Sequence, residues 1–280
     1  MSSFAKRLIL TFTAVPLLFC LIYFLPHHNH LGFAILAVLA TIVGSYEMRP
    51  LLFGDGERPM FPPWIAALLP LAQYLELYFL PTLPLTLLTF SVIALYGLSR
   101  EIFVGVKDDF ATTLTRSSHS LFLLFYPGLL LTFIVRILFL SEARLLLLML
   151  FLLVFGNDTF AYIFGMLFGK KSRNILSVSP NKSLVGFIGG GVMTIVLSLL
   201  WSQLFPSLKV LIAPYQALIL GLIVAIAGNL GDLIESVFKR GANVKDSGTI
   251  ILGRGGLLDS IDSLLASTPF FYLFLRLIMQ

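Results

Sequence analysis

The sequence is short of charge, histidine and cysteine. Lys, Arg, Asp and Glu make up 12% of the 280 residues, against about 25% in soluble domains. So little polar sequence excludes an ordinary water-soluble fold. The single cysteine, Cys20, lies in an apolar run; it cannot form an intrachain disulfide and says nothing of redox compartment. Alternation of apolar and polar residues is also missing, which argues against a β-barrel. No soluble domain has room to fold, because the longest polar interruptions, 49–63 and 100–120, are loops or short interfacial helices. No internal repeat is visible. Lys6 and Arg7 precede an apolar segment without a small-residue cleavage site, so that segment reads as a span and not as a removable signal.

What is present is apolar. Hydrophobic residues make up 58% of the chain, in repeated continuous runs of the length that crosses a bilayer as a helix. The expected fold class is an all-α polytopic integral membrane protein with about nine transmembrane helices. They are placed at 8–25, 31–48, 64–80, 83–99, 121–140, 145–165, 184–205, 215–238 and 264–279. With the N-terminus in the cytoplasm, the loop Lys and Arg residues fall on one side, except Arg144 and Lys209. That asymmetry satisfies the positive-inside rule. The net charge of +5 therefore points to anionic lipid beside cytoplasmic loops and not to nucleic acid. Residues 1–119 form an N-terminal group of about four spans with little recognisable chemistry. Residues 120–280 carry the candidate catalytic region.

Acidic residues at membrane depth are costly and mark function by default. Asp158 follows Asn157 in "FGNDTFAYIFG". Asp232, Glu235, Ser236 and Lys239 share one helix face, and so do Asp259 and Asp262. Hard cations such as Mg²⁺ take oxygen ligands, commonly one or two carboxylates plus substrate phosphates. Asp232, Asp259 and Asp262 could supply them if their helices converge. Lys239, Arg240, Lys245 and Arg254 lie close in sequence, with Lys170, Lys171 and Lys182 in the other basic loop. Gly248, Gly253, Gly255 and Gly256 would let backbone amides approach a phosphate. Carboxylate, metal and cation together describe a phosphoryl or nucleotidyl transfer site.

Other features have plainer readings. Gly189, Gly190 and Gly191 suit close helix packing. Glu76 and Arg136 read as structural partners or snorkelling side chains. His27, His28 and His30 have metal-ligand chemistry, but in a short loop on the far side they read as structural.

The stretch "SVFKRGANVKDSGTIILGRGGLLDSID", 236–262, resembles the signature of the phosphatidate cytidylyltransferases, also called CDP-diglyceride synthases. Ser236, Lys239, Arg240, Lys245, Asp246, Gly248, Gly253, Gly255, Gly256, Asp259 and Asp262 match at the family spacing. "GNLGDLIES", "SPNKSLVGFIGG" and "NDTFAYIFG" look like further family segments, in the family's order. Three positions depart from the pattern: Leu252 stands in place of Pro, Arg254 in place of His, and Ser260 in place of Arg.

The resemblance implies transfer of CMP from CTP to phosphatidic acid, giving CDP-diacylglycerol and pyrophosphate at the cytoplasmic face of a bacterial inner membrane. The catalytic set is then Asp232, Lys239, Arg240, Lys245, Asp246, Asp259 and Asp262. Substrate binding falls to Ser179, Asn181, Lys182, Ser183, Ser236, Gly253, Arg254, Gly255 and Gly256. The expected cofactor is Mg²⁺, as two divalent ions or as one with a monovalent cation, held by Asp232, Asp259, Asp262 and Asp158. The expected partners are CTP, phosphatidic acid and the bilayer, with a homodimer left open. Two alternatives stand beside this reading: an ion-coupled secondary transporter, which would explain Asp158 and Asp232, and a weakened or inactive family member, given Arg254 and Ser260.

Overall fold

The computed structural model describes residue 13 and residues 16–54, 58–108, 110–172, 178–180, 182–251 and 255–279. Their regular structure is helical. After a helical stretch at 16–24, the chain forms α1 (His27–Phe53), α2 (Leu68–Phe79), α3 (Leu85–Val104) and α4 (Thr113–Ile137). It continues through α5 (Ala143–Phe168), α6 (Leu184–Leu204), the short α7 (Pro206–Leu211), α8 (Pro214–Gly241) and α9 (Leu258–Ile278). Seven of these, all but α2 and α7, are long and apolar enough to cross a membrane. The protein is an all-helical, polytopic membrane protein.

The count differs from nine for two reasons. Of the expected first span, 8–25, residues 8–12, 14 and 15 lie outside the described residues, and the helical stretch described there, 16–24, is too short to cross by itself. The expected third, 64–80, breaks into a 3₁₀ turn at Pro63–Ala67 and the 12-residue α2, about 18 Å of helix by rise per residue. The last span gains instead: α9 begins at Leu258, so its first two turns carry Asp259 and Asp262.

The chain divides into two compact units, Met1–Phe139 with Gly241–Ser260, and Leu140–Arg240 with Ile261–Gln280. In the first, Phe53, Met60, Phe61, Leu69, Ile93 and Leu123 form a buried cluster. Polar side chains at depth are paired there. Arg136 Nε donates to Gln73 Oε1 at 2.7 Å, and Glu76 Oε2 accepts from the Thr86 amide at 2.7 Å. A left-handed break at His28–His30 (φ 49–57°) interrupts α1. There His28 Nδ1 lies 2.9 Å from the Tyr78 hydroxyl, and the Tyr74 hydroxyl donates to the His28 carbonyl. These contacts are structural.

In the second unit, small residues set how close the helices come. A Cβ on Gly190 would lie 2.8 Å from the Asn157 carbonyl oxygen, and one on Gly221 would lie 2.7 Å from Ile195 Cα. A Cβ on Gly231 would meet the Asp262 carbonyl oxygen at 2.5 Å. Gly231 therefore lets α9 lie against α8 at the level of Asp262. Hydrogen bonds span the same seams. Asn157 Nδ2 donates to Asn229 Oδ1 at 2.9 Å, Thr194 Oγ1 to Asn157 Oδ1 at 3.3 Å, and Ser198 Oγ to the Ala217 carbonyl at 2.6 Å.

Gly190→Val should therefore lower stability by about 1–3 kcal/mol, the usual cost of overpacking. Gly191→Ala should be near neutral, because its Cβ would meet Ala225 at an ordinary 3.7 Å. Thermal unfolding of the purified variants in detergent checks both.

Candidate active site

A charged cluster occupies the second unit, where α8, α9 and the segment before α6 meet. Lys182 precedes α6, whose N-terminus is capped by Ser183: its Oγ accepts from the Gly186 amide at 3.1 Å. The cap fixes where the preceding lysine leaves the helix. Lys182 Nζ is ion-paired with Asp232 Oδ2 on α8, and both side chains are 28% exposed. One α-helical turn further, Lys239 Nζ meets Glu235 Oε2 at 2.7 Å in an i,i+4 pair. Glu235 is completely buried. Asp262, 7% exposed, accepts from the Ser263 amide at 2.6 Å.

Burial pushes the Lys182 ammonium below the ordinary lysine range. Asp262 and Asp158 pull it back up, Lys239 pushes it down, and Glu235 raises it again. Three carboxylates thus act on one ammonium in addition to its ion pair with Asp232. Lys182 sits among acidic oxygens, with burial outweighing their pull on its ammonium.

A second cluster lies in the first unit, in the glycine-rich loop. Ile251 and Gly255 exchange backbone hydrogen bonds at 2.8 and 3.2 Å. Gly255 takes φ 100°, a conformation that side chains disfavour. Asp259 Oδ2 accepts from the Ser247 amide (2.8 Å), the Ser247 hydroxyl (2.9 Å) and the Gly256 amide (2.7 Å). Glu47, far away in sequence on α1, accepts from the amides of Leu257 and Leu258.

The sequence-predicted residues divide accordingly. Lys182, Asp232, Lys239 and Asp262 come together, with Asp158 near enough to act on Lys182 though itself exposed. Ser183 works as a helix cap. The Ser179 carbonyl accepts from the Lys182 amide at 3.1 Å, and Arg240 Nε donates to the Val178 carbonyl at 3.4 Å. Ser236 is buried, whereas Lys245 and Asp246 are exposed on the loop. Gly255 and Gly256 make room for carboxylates: a Cβ on Gly255 would lie 2.7 Å from Asp259 Oδ2. Asn181, Gly253 and Arg254 lie outside the described residues, as does Leu252. The Ser260 hydroxyl donates a long hydrogen bond, 3.5 Å, to the Gly256 carbonyl.

Among the described residues, no three His, Cys, Asp or Glu side chains gather closely enough to hold a metal alone. Asp232, ion-paired with Lys182, and Asp262, which acts on the same ammonium, are the carboxylates of this cluster that could hold a metal. That fits Mg²⁺, which completes its coordination with phosphate and water. Glu47 and Ser247 were not expected at a site. A lone glutamate next to an apolar span was the available signal for Glu47.

The fold and the cluster around Lys182 define a polytopic membrane protein in which lysines and carboxylates gather where α8, α9 and the segment before α6 meet. Residues 5–278 match the Cytidylyltransferase family, and the chain belongs to it. It is 41% identical to the uncharacterised protein YnbB of Escherichia coli over 132 residues, 47% of this chain and 43% of that protein. It is 46% identical to the phosphatidate cytidylyltransferase of Chlamydia muridarum over 119 residues, 42% of this chain and 38% of that one. The corresponding enzyme of Bacillus subtilis is 42% identical over 125 residues, 44% and 45% of the two chains. The chain thus spans less than half the length of these curated relatives.

Removing one partner of a buried ion pair costs about 3–5 kcal/mol, whereas replacing both partners is far milder. Lys239→Met should therefore strongly destabilise the protein by stripping Glu235 of its ammonium. The double variant Glu235→Gln/Lys239→Met should recover much of that loss. Thermal midpoints of the wild type, both single variants and the double variant check the coupling.

Proposed function

We propose that the protein is a Mg²⁺-dependent CTP:phosphatidate cytidylyltransferase, making CDP-diacylglycerol and pyrophosphate at the cytoplasmic face of a bacterial inner membrane. The observation that carries this reading is the ion pair of Lys182 with Asp232, beside Asp262 and the Lys239–Glu235 pair. It brings a phosphate-binding cation and two acidic oxygens into one place. Family membership and the relatives named phosphatidate cytidylyltransferase support the same chemistry.

In this reaction a phosphate oxygen of phosphatidic acid attacks the α-phosphorus of CTP. The new P–O bond forms as the bond from the α-phosphorus to the bridging oxygen breaks, and pyrophosphate leaves with the electron pair. The nucleophile is already anionic, so the protein has no proton to remove from it. What it must do is hold two polyanions together and offset charge on the phosphates.

Lys182 and Lys239 are the cations for that task. Phosphate binding to Lys182 would release Asp232, whose carboxylate, with that of Asp262, would hold Mg²⁺. When bound, the ion supplies further neutralisation of the phosphate oxygens. Ser183 keeps Lys182 in register through the cap on α6. Lys245 on the glycine-rich loop adds an exposed cation for solution-borne anions, and Asp259 keeps that loop folded.

Purified protein in lipid micelles with CTP, phosphatidic acid and Mg²⁺ should form CDP-diacylglycerol. EDTA should stop the reaction, and Asp232→Asn should slow it by about a hundredfold or more, the scale of losing one charge-stabilising group. CTP binding without product would indicate an inactive relative. Solute-driven ion flux with no need for CTP would indicate a transporter.

The pH profile follows from Lys182. Its ammonium is present below its lowered pKa and lost as pH rises through it, so turnover should fall on the alkaline side. Lys182→Arg keeps a permanent cation and should move that alkaline limb to higher pH. Coincident limbs for the two proteins would remove Lys182 from the rate-determining charge state.

A further inference from the structure

Glu47 sits near the C-terminal end of α1 and is 5% exposed. Both of its carboxylate oxygens are taken by backbone amides. Oε1 accepts from Leu257 at 2.9 Å and Oε2 from Leu258 at 2.8 Å. Those amides open α9, where N–H groups have no partner within the helix and where the helix dipole favours an anion. Such capping is ordinarily done by a side chain at the helix start itself. Here the acceptor comes from 210 and 211 residues away. A buried carboxylate is costly unless it is fully hydrogen-bonded, so a local Ser or Asp cap would have been the cheaper way to end the helix.

The loop is shaped around this carboxylate. A Cβ on Gly248 would lie 2.7 Å from Glu47 Oε1, and one on Gly256 would lie 2.6 Å from Oε2. Of the loop glycines described, only Gly255 has a positive φ. Gly248 is therefore explained by the space Glu47 fills, and Gly256 by the space Ser247 and Glu47 fill together, and not by turn conformation. Glu47 grips the peptide next to Asp259, and Asp259 in turn binds Ser247 and Gly256. The two carboxylates hold the loop from both sides: Glu47 from α1, Asp259 from the first turn of α9.

We propose that Glu47 is a positioning residue for the transfer reaction. It fixes the glycine-rich loop and the first turn of α9 without touching substrate itself, and this role rests on the function proposed above. Gln at this position can accept one amide but turns its own NH₂ toward the other. Asp is one methylene too short to reach both.

The test uses the full chain, purified as wild type, Glu47→Gln and Glu47→Asp. Three quantities are measured: amide hydrogen exchange over 245–260, thermal midpoint, and kcat and KM for CTP at a temperature where every variant is folded. Exchange over the loop should be roughly tenfold faster in Glu47→Gln, as expected for losing a charge-assisted hydrogen bond. Per folded molecule, kcat/KM for CTP should fall roughly ten- to a hundredfold, the scale of a misplaced supporting group. Glu47→Asp should lie between the two, which keeps the comparison open if the Gln variant folds poorly. Kinetic constants per folded molecule equal to wild type, with only the midpoint lowered, would overturn the positioning role. If the wild type itself transfers nothing from CTP, the functional reading falls. The hold of Glu47 on the loop then stands if exchange is faster in the variants, and falls if it is unchanged.

Discussion

A carboxylate carried into an apolar helical protein must be met by a cation or by amide hydrogens, and the chemistry of this chain is arranged around that constraint. Water satisfies such a group at no structural cost in a soluble protein. Where helices are long and greasy, an unpaired carboxylate costs several kcal/mol even after relaxation. Glu235 is fully buried, and Lys239 lies 2.7 Å from it. Asp232 has Lys182, Glu76 has a backbone amide of the neighbouring hairpin, and Glu47 has two amides of α9. Each is compensated, but in two different ways with different consequences.

A carboxylate satisfied by a lysine forms an exchangeable pair. A metal ion can replace the ammonium at the acid, and a phosphate can replace the acid at the ammonium, so one ligand carrying both charges satisfies both groups together. A carboxylate satisfied by backbone amides has partners that no ligand can carry away. It acts as a structural bolt whose partners are fixed by the fold. Lys182–Asp232 belongs to the first kind, and Glu47 and Asp259 to the second. This division separates groups suited to binding from groups that hold backbone in place. Gly248, Gly255 and Gly256 lie where carboxylates approach the loop, and Gly231 lies where α8 approaches α9.

Much of this was legible in the sequence. Continuous apolar runs located the helices from α1 to α9 that are long enough to cross, because the bilayer imposes one length on all of them. The spacing of Asp232, Glu235 and Lys239 put them on one face, as α8 confirms. Hydropathy does not register the 3₁₀ turn at Pro63–Ala67, so it extends the third span beyond the helix that forms there. Glu47 was missed because its partners are backbone amides. Any residue can supply an amide, so a contact between α1 and α9 leaves no residue pattern to read. The same holds for Asp259: its acidity is legible, while the three donors to its Oδ2, two of them backbone amides, are not.

The central claim is that the cluster on α8 and α9 serves nucleotidyl transfer to a lipid phosphate. CTP labelled separately at the α- and γ-phosphates, incubated with the purified protein, phosphatidic acid and Mg²⁺, tests it most directly. The account predicts that α-label enters the lipid phase while γ-label stays in water as pyrophosphate. Retention of both labels on intact CTP, or appearance of γ-label in the lipid, would contradict it.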